Sequence, residues 1–162
     1  MQVYQCAALT ALSGDVTYPN SSAYHLLESG YWSAFQAEVE PSCIYQPLNS
    51  AGVAAAVLFS RLTQCPFAVK SGGHAAFANA SNIEGGMTIN LAKLNEIELS
   101  ADKSVASIGP GNTWYDVYTE LEDSNVTVIG GRVAAIGVGG LTLGGGISFF
   151  SGKHGWACDN VS

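Results

Sequence analysis

The chain has 162 residues, 48% hydrophobic and 12% charged, with six basic against thirteen acidic side chains and a formal net charge of -7. That length suffices for one domain with a core, and the apolar content with positive mean hydropathy excludes a disordered chain. The acidic balance repels phosphate backbones, so no nucleic-acid partner is expected, and the absence of an 18-residue apolar run removes any expectation of a membrane span.

Taken in chain order, residues 1–36 read as an N-terminal lead-in with aromatic anchors, Tyr18, Tyr24, Tyr31, Trp32 and Phe35, and residues 37–162 as the domain proper. The opening MQVYQCAALTALSGDV lacks a basic start and its apolar stretch breaks at Ser13 and Gly14, so it does not read as a secretory signal. Pro41 opens a short strand, Cys43-Ile44-Tyr45, that Pro47 closes. Asn49 or Ser50 caps a helix on which Val53, Ala56, Val57 and Leu62 fall near helical spacing, and Pro66 stops it. Phe67-Ala68-Val69-Lys70 is the next strand.

Met87, Ile89 and Leu91 alternate with Thr88 and Asn90, the period of a half-buried strand. Residues 97–99 and 105–108 continue the strand pattern around a turn at Ala101-Asp102-Lys103. Residues 113–122 predict a helix: Thr113 and Asp116 resemble a capping box, and Trp114, Val117, Tyr118 and Leu121 form one apolar stripe. Residues 126–129 read as a further strand, which makes the fold class mixed α+β rather than a regular alternation of strand and helix.

Ten of the nineteen glycines lie between Gly130 and Gly155, spaced by Val, Ile, Leu and Phe instead of the polar residues of a linker. Such a stretch reads as packed backbone that something approaches closely. The four cysteines contain no C-x-x-C pair, so no metal site is expected. Cys6 and Cys43 flank the first segment and are placed to staple it, while Cys65 and Cys158 read as buried thiols rather than as a second bridge. Four N-x-[ST] sequons begin at Asn20, Asn79, Asn125 and Asn160, the second and fourth expected to be buried or close to a cofactor.

Chemistry is concentrated in two segments. The strand ending Val69-Lys70 runs straight into Ser71-Gly72-Gly73-His74, a turn able to point successive N–H groups into one concavity that holds a pyrophosphate without a basic field. A plain tight turn fits the same residues. The second segment is Gly130-Gly131-Arg132 followed by Gly137-Val138-Gly139-Gly140-Leu141-Thr142-Leu143-Gly144-Gly145-Gly146-Ile147-Ser148. It suits a long flat ligand lying on bare backbone, and also a glycine-rich packing turn. Neither segment is a G-x-x-x-x-G-K-[ST] loop or a G-x-G-x-x-G helix opening, so ATP and a Rossmann-bound nicotinamide are disfavoured.

Residues 67–74, then Gly109-Pro110-Gly111-Asn112-Thr113-Trp114, then residues 137–148, then His154-Gly155 through Asp159-Asn160-Val161 closely resemble the berberine-bridge-enzyme-like branch of the vanillyl-alcohol-oxidase, or p-cresol-methylhydroxylase-type (PCMH-type), FAD-binding family. The resemblance covers residues 37–162 with four motifs in order. It implies a PCMH-type FAD-binding domain of small mixed sheets packed with helices, cut before a substrate domain. By the same resemblance the cofactor-binding residues are Lys70, Ser71, Gly72, Gly73, His74, Ala75, Gly137, Val138, Gly139, Gly140, Thr142, Gly145, Ile147 and Asn160. His74 would be joined to the flavin 8α-methyl, with Lys70 where the family has Arg or Lys, and Cys6 and Cys43 match a family disulfide. Val133 stands where many relatives carry a cysteine for a second flavin bond, and Leu141 where those members carry a His, so a single tether is expected. His154 replaces a frequent Tyr.

The function implied is an FAD-dependent oxidase of the secretory pathway. It would take hydride from an alcohol, sugar or secondary-metabolite substrate and pass electrons to O2. The alternative is a truncated, non-catalytic module that binds FAD or a partner. No residue is assigned as catalytic base, and the substrate and oligomeric state are left open.

Overall fold

The computed structural model describes Cys6, Ala8–Ala11 and residues 14–162; the reading of the opening segment through Ser13 lies partly outside the described residues. The chain divides into two compact units, the first ending at Lys93 and the second running from Leu94 to Ser162.

In the first unit the elements are β1 (Gly14–Thr17), α1 (Ser22–Ser29), α2 (Ala34–Ala37), β2 (Cys43–Pro47), α3 (Ser50–Thr63), β3 (Phe67–Lys70) and β4 (Met87–Asn90). The four strands form one sheet in the order β1-β2-β4-β3, with β1 antiparallel to β2 and the other pairs parallel. β4 sits inside this sheet, and all four of its residues are buried. Its alternation of Met87 and Ile89 with Thr88 and Asn90 therefore does not mark a half-buried strand. The second face is buried too, and its polar side chains are satisfied there: Thr88 Oγ1 donates to Asn82 Oδ1 at 2.7 Å and Asn90 Oδ1 accepts from the Ala92 N–H at 3.0 Å.

α3 begins where the sequence places it, with Asn49 Oδ1 accepting from the Gly52 N–H at 2.9 Å. Its inward stripe is Gly52, Ala56 and Ser60, and Leu62 stands exposed. Small side chains at i, i+4 and i+8 let the helix lie close, which the larger apolar residues of the predicted stripe would prevent. The core gathers Leu9, Cys43, Tyr45, Ala56, Cys65, Met87 and Ile89.

Cys6 and Cys43 form a disulfide in that core, 37 residues apart in sequence. Closing a loop of this size lowers the entropy of the unfolded chain by about 4 kcal/mol at room temperature in the chain-entropy account. Cys6→Ser with Cys43→Ser is expected to lower unfolding free energy by roughly 2–4 kcal/mol. Denaturant titration checks this; a midpoint equal to that of the parent protein would deny the bridge its role. Of the other two cysteines, Cys65 is buried as expected, but Cys158 is exposed, because the last turn presents it outward.

In the second unit β5 (Ile97–Leu99) and β6 (Ala106–Ile108) form an antiparallel hairpin, followed by α4 (Trp114–Glu122), α5 (Val138–Leu143) and α6 (Ser151–His154). The Thr113–Asp116 capping box is present, the Thr113 N–H donating to Asp116 Oδ2 at 2.8 Å. Trp114, Val117, Leu121 and Val138 make the core, with Val126 and Val128 packed against it. Residues 126–129 are not a strand. They alternate inward and outward, but no strand among the described residues pairs with them, and burial periodicity alone does not supply a partner.

Candidate functional site

The first candidate segment leaves the C-terminal end of β3 at Lys70 and continues through Ser71, Gly72, Gly73, His74 and Ala75. Gly73 takes φ +71°, the left-handed region open to glycine. Among the described residues, the backbone N–H groups of Gly72, Gly73, His74 and Ala75 donate to no protein acceptor. Consecutive unpaired N–H groups in a turn with one left-handed residue are the chemistry of an anion nest.

Three consecutive residues of the lead-in hold this loop in place. Tyr31 lies beneath Gly73: a Cβ built there would fall 3.0 Å from the Tyr31 ring and 2.7 Å from Lys70 Cε. The Trp32 N–H donates to the Gly73 carbonyl at 3.2 Å, and its indole stacks on the His74 imidazole with centroids 4.6 Å apart and planes 14° from parallel. Ser33 Oγ donates to the Ala76 carbonyl at 3.0 Å. In the sequence Tyr31 and Trp32 read only as anchors of the lead-in, and Ser33 carries no signal. Their register against a loop some forty residues away has no local signal.

Lys70 is turned into protein. Its Nζ donates to the Leu27 carbonyl at 3.1 Å and sits 3.8 Å from the centre of the Tyr31 ring. Burial pulls the ammonium below its ordinary range while Glu28 opposes. Glu28 Oε2 accepts from Asn82 Nδ2 at 2.8 Å, and Glu28 Oε1 has no partner among the described residues. Burial pushes the Glu28 carboxyl up to about 6, against the hydrogen bond from Asn82 and the charge of Lys70.

The folded state therefore holds a proton on Glu28 where the unfolded chain has lost it. That contribution is complete below the unfolded value of 4.5 and disappears as pH rises through about 6. Its size is about 2 kcal/mol. Glu28→Gln keeps an oxygen for Asn82 and carries no charge, so the fall in stability across this window should flatten. Urea titrations at several pH values measure it, and an unchanged slope in the variant would remove Glu28 as its source.

In the second unit, Gly137, Val138, Gly139, Gly140 and Thr142 lie at the start of α5 and along it, and Gly145 and Ile147 follow its end. The stretch read as bare backbone for a flat ligand is partly helical, with Thr142 Oγ1 donating to the Val138 carbonyl at 2.8 Å. Its glycines divide by what surrounds them. A Cβ at Gly140 would meet nothing within 4 Å. At Gly145 it would fall 2.5 Å from Trp156, at Gly146 2.6 Å from the Ala157 Cβ, and at Gly130 2.2 Å from Trp114. Gly130, Gly145 and Gly146 are spent on packing within the protein, and Gly140 faces open space.

Asn160 lies in the 3-10 turn Ala157–Asn160, its amide donating to the carbonyls of His154 at 3.0 Å and Trp156 at 2.8 Å. Asn79 and Asn160 are both exposed, so burial, one of the two expected placements, is not the one observed: the former sits in a left-handed turn and the latter uses its amide on the adjoining backbone. Val133 is exposed and Leu141 half-buried.

Residues 41–162 match the family model described as FAD binding domain. The chain belongs to this FAD-binding family. It is 49% identical over 144 residues to the FAD-dependent monooxygenase tpcD of Cochliobolus heterostrophus, a match covering 89% of this chain and 28% of that protein. It is similar in structure to 6-hydroxy-D-nicotine oxidase from Arthrobacter nicotinovorans, with TM-score 0.82 and 29% identity over 92% of this chain and 32% of that one. It shares its fold with wild-type Physcomitrella patens BBE-like 1, with TM-score 0.83 and 23% identity over 98% of this chain and 34% of that one. The chain thus spans about a third or less of the length of each. The PCMH-type α+β fold expected from the motifs is the fold observed. In the first unit the loop of residues 72–75 fits the phosphates of FAD, with four N–H groups side by side and unpaired among the described residues. In the second unit, taken by itself, Gly140 leaves room for a flat group to approach its backbone.

Proposed function

We propose that this chain is the FAD-holding part of an oxidoreductase whose flavin is tethered once, through His74. The observation that carries the reading is the loop of residues 72–75, where backbone N–H groups unpaired among the described residues adjoin an imidazole that no hydrogen bond occupies there. Gly72, Gly73, His74 and Ala75 bind the pyrophosphate through the backbone, and Ser71 belongs to the same turn. This suits a chain of net charge -7, which has no basic field to offer.

Lys70 acts from behind the loop, fixing Tyr31 and the end of α1 rather than reaching a phosphate. Gly137, Val138, Gly139, Gly140, Thr142, Gly145 and Ile147 supply the backbone for the flavin ring, with Gly140 the open position, and Asn160 closes the adenine side.

His74 would hold the flavin through one C–N bond from a ring nitrogen to the 8α carbon. That bond would replace a methyl C–H and the imidazole N–H, with dioxygen taking the two electrons and two protons as hydrogen peroxide. Bound FAD supplies the two-electron acceptor for hydride taken from a substrate C–H bond. The substrate is a small molecule and the final acceptor O2. Val133 and Leu141 offer no thiol or second imidazole, which supports a single link. The core disulfide and the exposed asparagines of the Asn20 and Asn125 sequons support passage through an oxidising secretory compartment and glycosylation.

The test is acid precipitation of the purified protein with a mass measurement on the peptide containing His74. Flavin retained in the pellet and present on that peptide alone is the expected result. A colourless pellet would overturn the tether.

A further inference from the structure

Trp32 is 63% exposed, an unusual placement for an indole with no apolar core around it, and one face of its ring is laid on His74. We propose that Trp32 is the positioning residue for His74: it holds the imidazole in the orientation from which the flavin bond forms. This rests on the reading of His74 as the tether.

Two contacts from one residue converge on the same short loop. The Trp32 N–H donates to the Gly73 carbonyl at 3.2 Å, which fixes the backbone just before His74. The indole face, stacked at 4.6 Å and 14°, fixes the ring plane. Among the described residues no hydrogen bond reaches either ring nitrogen of His74, so neither lone pair nor N–H is consumed in orienting it. Enzymes commonly orient a reactive histidine by a hydrogen bond from its second nitrogen. Here stacking does that work and leaves both nitrogens free.

The neighbours on either side anchor Trp32 itself. Tyr31 Oη donates to the Ser81 carbonyl at 2.9 Å, and Ser33 Oγ to the Ala76 carbonyl at 3.0 Å. The backbone from 31 to 33 is therefore pinned to the segment that carries His74, and the indole has a fixed base from which to act. Because the ring is exposed, replacing it leaves the core of the unit untouched.

An aromatic pair of this geometry is worth about a factor of ten at most in holding one ring orientation. The rate of tethering in the complete protein, prepared free of flavin and then supplied with FAD, should fall several-fold to tenfold in Trp32→Ala and return near the parent rate in Trp32→Phe. Flavin carried through acid precipitation at timed intervals gives that rate.

In a His74→Ala background, adding Trp32→Ala should leave the affinity for non-covalent FAD unchanged, because Trp32 acts through the His74 ring. Trp32→Ala tethering at the parent rate overturns the proposal. So does a loss of non-covalent FAD in the double variant, which would make Trp32 a support for the fold or the cofactor. A parent protein that tethers no flavin at all overturns the reading of His74 itself, an outcome separate from the other two.

Discussion

A His74→Ala protein is expected to carry no flavin through acid precipitation, yet still to bind FAD reversibly. The substitution removes the only imidazole in the loop and leaves the N–H groups of Gly72, Gly73 and the residue at 74 in place. These groups belong to the backbone, so the proposed anion nest does not depend on the side chain proposed to form the bond. The fold should hardly register the change. His74 is half-buried, takes part in no hydrogen bond among the described residues, and meets protein through the Trp32 stack, worth about 0.5–1.5 kcal/mol. Absorbance of the pellet and supernatant, with the mass of the peptide spanning residue 74, separates bound from tethered flavin. Covalent flavin surviving in this variant would move the tether to another side chain.

The opposite pattern is expected of Gly73→Val, which should lose reversible and covalent FAD together and destabilise the protein. Gly73 is buried at φ +71°, a conformation that costs an L-residue about 1–2 kcal/mol and a β-branched one more. Its Cβ would also enter space held by Lys70 Cε at 2.7 Å and the Tyr31 ring at 3.0 Å. Crowding of this kind adds roughly 1–3 kcal/mol. The damage begins inside the protein: Tyr31 and Lys70 must move, and the base of the loop moves with them.

A side chain at Gly145 meets Trp156 in the same way, so a glycine-rich cofactor segment is not simply a surface stripped of side chains for a ligand. Flavin content and a denaturant midpoint, measured on the same Gly73→Val sample, test both halves. Normal flavin content together with a normal midpoint would show that the loop tolerates a side chain there.

Local chemistry accounts for what could be read early. The Thr113–Asp116 box, the Asn49 cap and the apolar stripe of Trp114, Val117 and Leu121 each act within about one to two helical turns, so residue spacing alone exposes them. The short apolar strands Cys43–Pro47 and Phe67–Lys70 are equally visible between their prolines and polar turns. The motif Ser71-Gly72-Gly73-His74 named the loop, because a strand running into two glycines leaves the chain few ways to turn.

Where a segment finds its partner was not written locally. Residues 126–129 have a strand's alternation without a strand among the described residues to pair with, and Thr88 and Asn90 are polar on a face that the fold buries. The direction of each glycine, toward Trp114, Trp156, Lys70 or open space, is set by atoms distant in sequence.

From its sequence alone this protein reads as an acidic, glycine-rich α+β chain with a strand running into the turn Ser71-Gly72-Gly73-His74, because periodicity, capping and turn residues act over a few positions. Only the tertiary structure brought Tyr31, Trp32 and Ser33 onto that loop and turned Lys70 away from it into protein. Contacts across some forty residues depend on how the strands pair and the core closes, and no short-range pattern in the chain encodes them.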